Sequence, residues 1–187
     1  MRVALALVVL ALSPLAGGCG TGEERAAPPT LPPNALPELS SERRSLDRAS
    51  LAADAFAPNA LSSLLDDSGY VQGVEREFFG RGEIFDHVVA RGLRFETSEG
   101  AERYLGWVRS HARDLLGRAE AERRLELGSS GVLLALTPCG TCKKELPTYL
   151  AAWRRGDVVL SLLASGRGVD RERFAALARK LDARMEA

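Results

Sequence analysis

Tyr149-Leu-Ala-Ala-Trp-Arg-Arg-Gly-Asp-Val-Val-Leu-Ser-Leu-Leu-Ala164 decides the fold. Two apolar runs of strand length, Tyr149 to Trp153 and Val158 to Ala164, flank the turn-forming segment Arg154-Arg-Gly-Asp157, so the stretch reads as a β-hairpin. A hairpin obliges antiparallel pairing. Directly downstream, Asp170 stands where an N-cap belongs, and Val169 and Phe174 have the spacing of a hydrophobic staple. The helix that follows presents one apolar stripe, formed by Phe174, Leu177, Ala178, Leu181 and Met185.

Working upstream, Val132 to Leu136 is another apolar run of strand length, set off by the break at Gly128 to Gly131. Before it, Ser98 can cap a helix in which Ala101, Tyr104, Leu105, Val108, Ala112, Leu115 and Leu116 recur at helical spacing. Tyr70 to Phe79 and Ile84 to Phe95 are rich in aromatic and β-branched residues, with the turn signal Gly80-Arg-Gly82 between them. A short helix is expected after Asn59, where Leu61, Leu64 and Leu65 share a face, and another over Ser41 to Phe56. The sign-alternating cluster Arg118-Ala-Glu-Ala-Glu-Arg-Arg-Leu-Glu126 reads as a solvated helix end with local ion pairs. After the leading helices, the expected order is β-β-α-β-β-β-α. The predicted fold is therefore α+β, an antiparallel sheet of about five strands with two amphipathic helices on one face. Hairpin followed by helix occurs twice in that order, which raises the question of an internal repeat.

The N-terminal 40 residues have a different character. From Gly20 to about Ser40 the chain carries Pro28, Pro29, Pro32, Pro33 and Pro37 among small and polar residues, a composition that favours extended, disordered backbone. Residues 19–40 are thus expected to be a tether, and residues 41–187 a single domain. Ahead of the tether, Arg2 precedes a mostly apolar run that begins at Val3 and is too short to span a bilayer. It closes on Leu15-Ala16-Gly17-Gly18-Cys19. This segment resembles the lipobox of bacterial lipoprotein signal peptides. The resemblance implies that residues 1–18 are removed, that Cys19 becomes the new amino terminus and carries acyl chains, and that the domain faces the extracytoplasmic side of a cell membrane or outer membrane. Two or three acyl chains make a firm anchor at about 0.8 kcal/mol per buried methylene.

Composition removes several functions. Lys plus Arg number 25 and Asp plus Glu number 25, interspersed along the chain, whereas a nucleic-acid binder shows a basic face or a high isoelectric point. No nucleic-acid partner is expected. There is no Gly-rich phosphate loop and Gly166-Arg-Gly168 is too short for a dinucleotide fingerprint, so no cofactor is expected. His87 and His111 are the two histidines, neither in a pair with ligand spacing, and no metal site is expected. Acids such as Asp66, Asp67 and Asp86 have no catalytic spacing.

One constellation carries chemistry. Pro138-Cys139-Gly140-Thr141-Cys142, followed by Lys143-Lys144-Glu145-Leu146-Pro147, resembles the active-site turn of membrane-tethered thioredoxin-like proteins. The resemblance implies a nucleophilic Cys139 and a resolving Cys142, with the thiol pKa lowered at a helix start. No proline follows Pro147 to face the dithiol, and the 45 residues after Cys142 are too few for the rest of a thioredoxin fold. Read without the resemblance, Cys139 and Cys142 pair as a structural disulfide in an exported protein, since lipidation of Cys19 leaves no spare thiol. Tyr70, Tyr104, Trp107, Tyr149 and Trp153 either fill the core or line a groove between sheet and helix. The chain therefore reads as a membrane-anchored envelope lipoprotein with a non-enzymatic domain that binds a small molecule or an envelope protein. The alternative is a divergent thiol-disulfide oxidoreductase.

Overall fold

The computed structural model describes residues 26–53, 55, 57–111, 119–122, 127–136 and 146–185. Within them the chain forms β1 (Ser40–Leu46), α1 (Arg48–Ala53), α2 (Pro58–Asp67), β2 (Tyr70–Phe79), β3 (His87–Phe95) and α3 (Ser98–Ser110). Then follow β4 (Ala119–Glu122), β5 (Ser129–Leu136), β6 (Thr148–Arg155), β7 (Val158–Ser165) and a helix, α4 (Arg171–Asp182), that ends in a 3-10 turn over Ala183–Met185. The strands make one sheet in the order β1-β2-β3-β7-β6-β5-β4, and every neighbouring pair is antiparallel. The α+β class and the single antiparallel sheet are those read from the sequence.

The five strands expected from the sequence are β2, β3, β5, β6 and β7, and β1 and β4 extend the sheet to seven at its two edges. Both additions correct helical expectations. Ser40–Leu46 has few apolar residues to hold a helix on a core, whereas the free edge of β2 takes it register by register from Ser40 opposite Phe79 to Leu46 opposite Gly73. Among the described residues of the expected Ser41–Phe56 helix, only Arg48–Ala53 is helical. Ala119–Glu122 likewise pairs with β5, from Ala119 opposite Leu136 to Glu122 opposite Leu133.

The expected placement of both helices on one face is also corrected. In β6 and β7, Ala151, Trp153, Val158, Leu160, Leu162 and Ala164 pack with Phe174, Leu177, Ala178 and Leu181 of α4. Ala152 and Val159, of opposite parity, pack with Ala101, Tyr104, Leu105 and Val108 of α3 and with Leu51, Leu61 and Leu65 of α1 and α2. Successive strand residues point to opposite faces, so α1, α2 and α3 cover one face and α4 the other. The physical reason lies in Val158 to Ala164, an almost unbroken apolar run that needs cover on both sides. The same fact bears on the repeat. β3 and β7 are adjacent and antiparallel, so an axis relating the two hairpin-helix units would stand normal to the sheet and keep their helices on one face.

Part of the expected tether belongs to the fold. Leu31, Leu36 and Leu39 are buried with the α4 core, and Thr30 Oγ1 donates to Ala90 O at 3.1 Å. Gly92 makes the close approach possible, since a Cβ there would collide with the Pro29 carbonyl oxygen and Pro28. The boundary of the packed chain thus moves from about residue 40 back to about residue 28. Composition misplaced it because three leucines spaced among prolines have no helical or strand period, yet each finds a site on the sheet.

Helix ends follow capping rules. Asp170 caps α4 as expected, its carboxylate accepting from Arg173 N at 2.8 Å. The cap of α3 is Thr97, one residue before the expected Ser98, and its hydroxyl accepts from Gly100 N at 3.1 Å. Gly156, at φ +59°, turns the β6–β7 hairpin.

Candidate functional site

Between α1, α2, α3 and the sheet lies a cavity of about 270 Å³. Its floor is the sheet face carrying Val89 of β3, Leu150 and Ala152 of β6, and Leu163 of β7, and its walls are Leu51, Leu61, Tyr104, Trp107 and Val108. The floor is set by strand parity and the walls by the helical stripes, so the cavity is apolar through most of its depth. His87, Arg91 and Ser161 give it a polar side.

Those polar groups are held in place. Glu75 is 2 % exposed and its carboxylate accepts from Arg44 Nε at 2.6 Å and from Arg91 Nε. Burial by itself would raise the Glu75 pKa, but the hydrogen bonds and charges of Arg44 and Arg91 outweigh it and hold the carboxyl below the usual range. His87 Nε2 lies 2.7 Å from Glu77 Oε1. Arg91 is therefore aimed along the sheet surface by a fixed carboxylate, with its side chain 30 % exposed.

The wall nearest α3 is aromatic. Tyr70, Phe95, Tyr104, Trp107 and His111 form a continuous ladder with ring centroids 5.8, 5.4, 6.4 and 4.6 Å apart. Of the aromatic residues proposed from sequence as a groove lining, Tyr104 and Trp107 line this cavity, and Tyr70 supports it through Phe95 while its hydroxyl donates to Leu46 O at 2.8 Å. Tyr149 and Trp153 are on the opposite face. Tyr149 stacks on Phe174 at 5.4 Å, and Trp153 Nε1 donates to Asp182 Oδ1 at 2.8 Å. Sequence reasoning missed Glu75, Arg91 and Ser161. Glu75 sits in the charged run Glu75-Arg76-Glu77 of β2, Arg91 follows the apolar Val88-Val89-Ala90 of β3 and Ser161 interrupts the apolar run of β7, and these residues become meaningful together only once register is known.

Cys19, Cys139 and Cys142 lie outside the described residues. The chain between Leu136 and Thr148, which carries the second and third, joins two residues that pair directly across β5 and β6. Ala112, Leu115 and Leu116 of the expected helical stripe also lie outside. His87 and His111 sit apart, His87 against Glu77 and His111 at the end of α3 with its Nδ1 3.0 Å from Trp107 O. Among the described residues no group of three or more His, Cys, Asp or Glu could hold a metal ion, and no helix is long and apolar enough to cross a membrane.

No family model matches the chain, and no curated protein matches it. Among solved structures, the chain is similar to the extracellular domain of PknH from Mycobacterium tuberculosis, with a TM-score of 0.58 at 10% sequence identity over 82% of this chain and 89% of that one. At that identity the likeness is one of fold.

Proposed function

We propose that this chain is a lipid-anchored envelope protein, cleaved before Cys19 and held on the extracytoplasmic side of a membrane, whose domain binds a small, largely apolar molecule without transforming it. The observation that carries the reading is the cavity of about 270 Å³ under α3, apolar in its depth and polar at Arg91, His87 and Ser161. Ligand sites are commonly apolar clefts with a few fixed polar groups. Arg91 and His87 are engaged by Glu75 and Glu77, an arrangement suited to orienting a ligand's polar end. The lipobox-like leader supports the location, as does the fold shared with a domain described as extracellular.

Trp107 reports on occupancy because it lines the cavity, while Trp153 is buried on the other face. Titration with a medium-chain fatty acid should change tryptophan emission saturably, and Ala152→Phe, which fills the floor, should abolish the response while leaving the fold intact by circular dichroism. An unsaturable response, or one that survives Ala152→Phe, overturns the binding reading. The anchor is tested separately by the mass of the native product, which should start at Cys19 and carry acyl chains.

A further inference from the structure

On the α4 face, residues 26–33 run beside Arg43 of β1, Arg76 of β2, Arg94 of β3 and Arg184 after α4, enclosing a cleft of about 540 Å³. Among the described residues four arginines line it and no carboxylate does. In a chain whose charges otherwise balance and intersperse, this is a local concentration of one sign. Arg43 and Arg76 are direct cross-strand partners, a placement in which like charges repel. Burial and the neighbouring Arg43 guanidinium both lower the Arg76 pKa. Arg94 Nη1 donates to Asp157 Oδ2 at 2.9 Å, and Arg76 Nη1 reaches Ser41 Oγ only at 3.5 Å. Arg76 Nε and Arg94 Nε are buried with no hydrogen-bond partner among the described residues. Buried donors left unpaired are costly, and guanidinium groups match phosphate oxygens in geometry and charge.

The position of the cleft says where the phosphate comes from. Ala26 and Ala27 form part of its wall, and the seven residue steps from Cys19 to Ala26 span about 25 Å at full extension. We propose that the cleft takes the phosphate of an anionic lipid headgroup and seats the α4 face of the domain on the membrane surface. The inference rests on the lipid-anchor reading for its choice of phosphate source, and on the four arginines for the anion site. The anchor supplies attachment, and the arginines supply orientation.

The test uses the chain from residue 19 with Cys19→Ser, which keeps every described element and carries no acyl chain, so its binding is independent of whether the native protein is lipidated. Cosedimentation with phosphatidylcholine vesicles containing phosphatidylglycerol should exceed that with phosphatidylcholine alone. Arg43 and Arg184 are exposed, so Arg43→Gln should weaken binding about five-fold and Arg43→Gln with Arg184→Gln about 25-fold, without loss of melting temperature. Arg171→Gln, at the far end of α4, should leave it unchanged. Equal weakening by Arg171→Gln, or no preference for phosphatidylglycerol, overturns the proposal. Binding of inorganic phosphate that Arg43→Gln weakens, with no response to vesicles, overturns the lipid source and assigns the cleft to a free anion.

Discussion

Asp182 is the residue that ties α4 to the sheet. Its carboxylate accepts from Trp153 Nε1 at 2.8 Å and from Arg155 Nε and Nη2 at 2.9 and 2.5 Å, and the hydrogen bonds from Arg155 are the main cause of its lowered pKa. Asp182→Ala leaves a buried indole N–H without a partner and should cost about 2 kcal/mol in chemical denaturation. Arg155, at 39 % side-chain exposure, recovers water and limits the loss. Glu75 makes a pH prediction. Its folded carboxyl binds its proton less readily than the unfolded one, so the stability it contributes is complete above the ordinary glutamate value of about 4.3 and is lost as pH falls through the lower folded value. The stability gap between the native chain and Glu75→Gln should therefore be widest above about pH 5 and should close in acid. Legibility differs sharply between such residues. Asp170 could be assigned from its neighbours because a cap acts over three residues. Glu75 could not, because its partners Arg44 and Arg91 lie 31 and 16 residues away and meet it only through strand register.

At the scale of elements, local pattern was reliable where the element supplies its own reason. The β6–β7 hairpin and the stripe of α4 fall where alternation and helical spacing put them, and α2 buries Leu61 and Leu65 as read. Edge strands were opaque because they take their conformation from a neighbour's free backbone rather than from their own side chains, which is how Ser40–Leu46 and Ala119–Glu122 came to read as helix. Part of the cavity was legible: the stripe of α3 gave Tyr104, and Trp107 stood beside it. Its polar side needed the sheet. Residues 28–39 give the test at this scale. Gly92→Val should force Pro28 and Pro29 off β3, and hydrogen exchange should then rise across residues 28–39 while β6 and β7 keep their protection. Asp170→Ala should cost about 1 kcal/mol through loss of the α4 cap.

Among the described residues of the whole molecule, the central strands of the sheet are covered on both faces, with the apolar cavity under α1, α2 and α3 and the arginine cleft under the N-terminal segment. The two sites share the scaffold but not a face, so a ligand in the first leaves the second open. With the proposed anchor at Cys19 in place, the chain running from it through Pro28 to Leu39 into β1 would also give the domain a mechanical order. Tension arriving from the N-terminus is borne first by the Thr30–Ala90 hydrogen bond and three buried leucines, and next by a margin strand bonded on one side to β2. A steady pull would load β3 at Ala90 and then peel the sheet from that margin inward, so β7 and β6, which floor the cavity beyond β3, would feel it only after β1, β2 and β3.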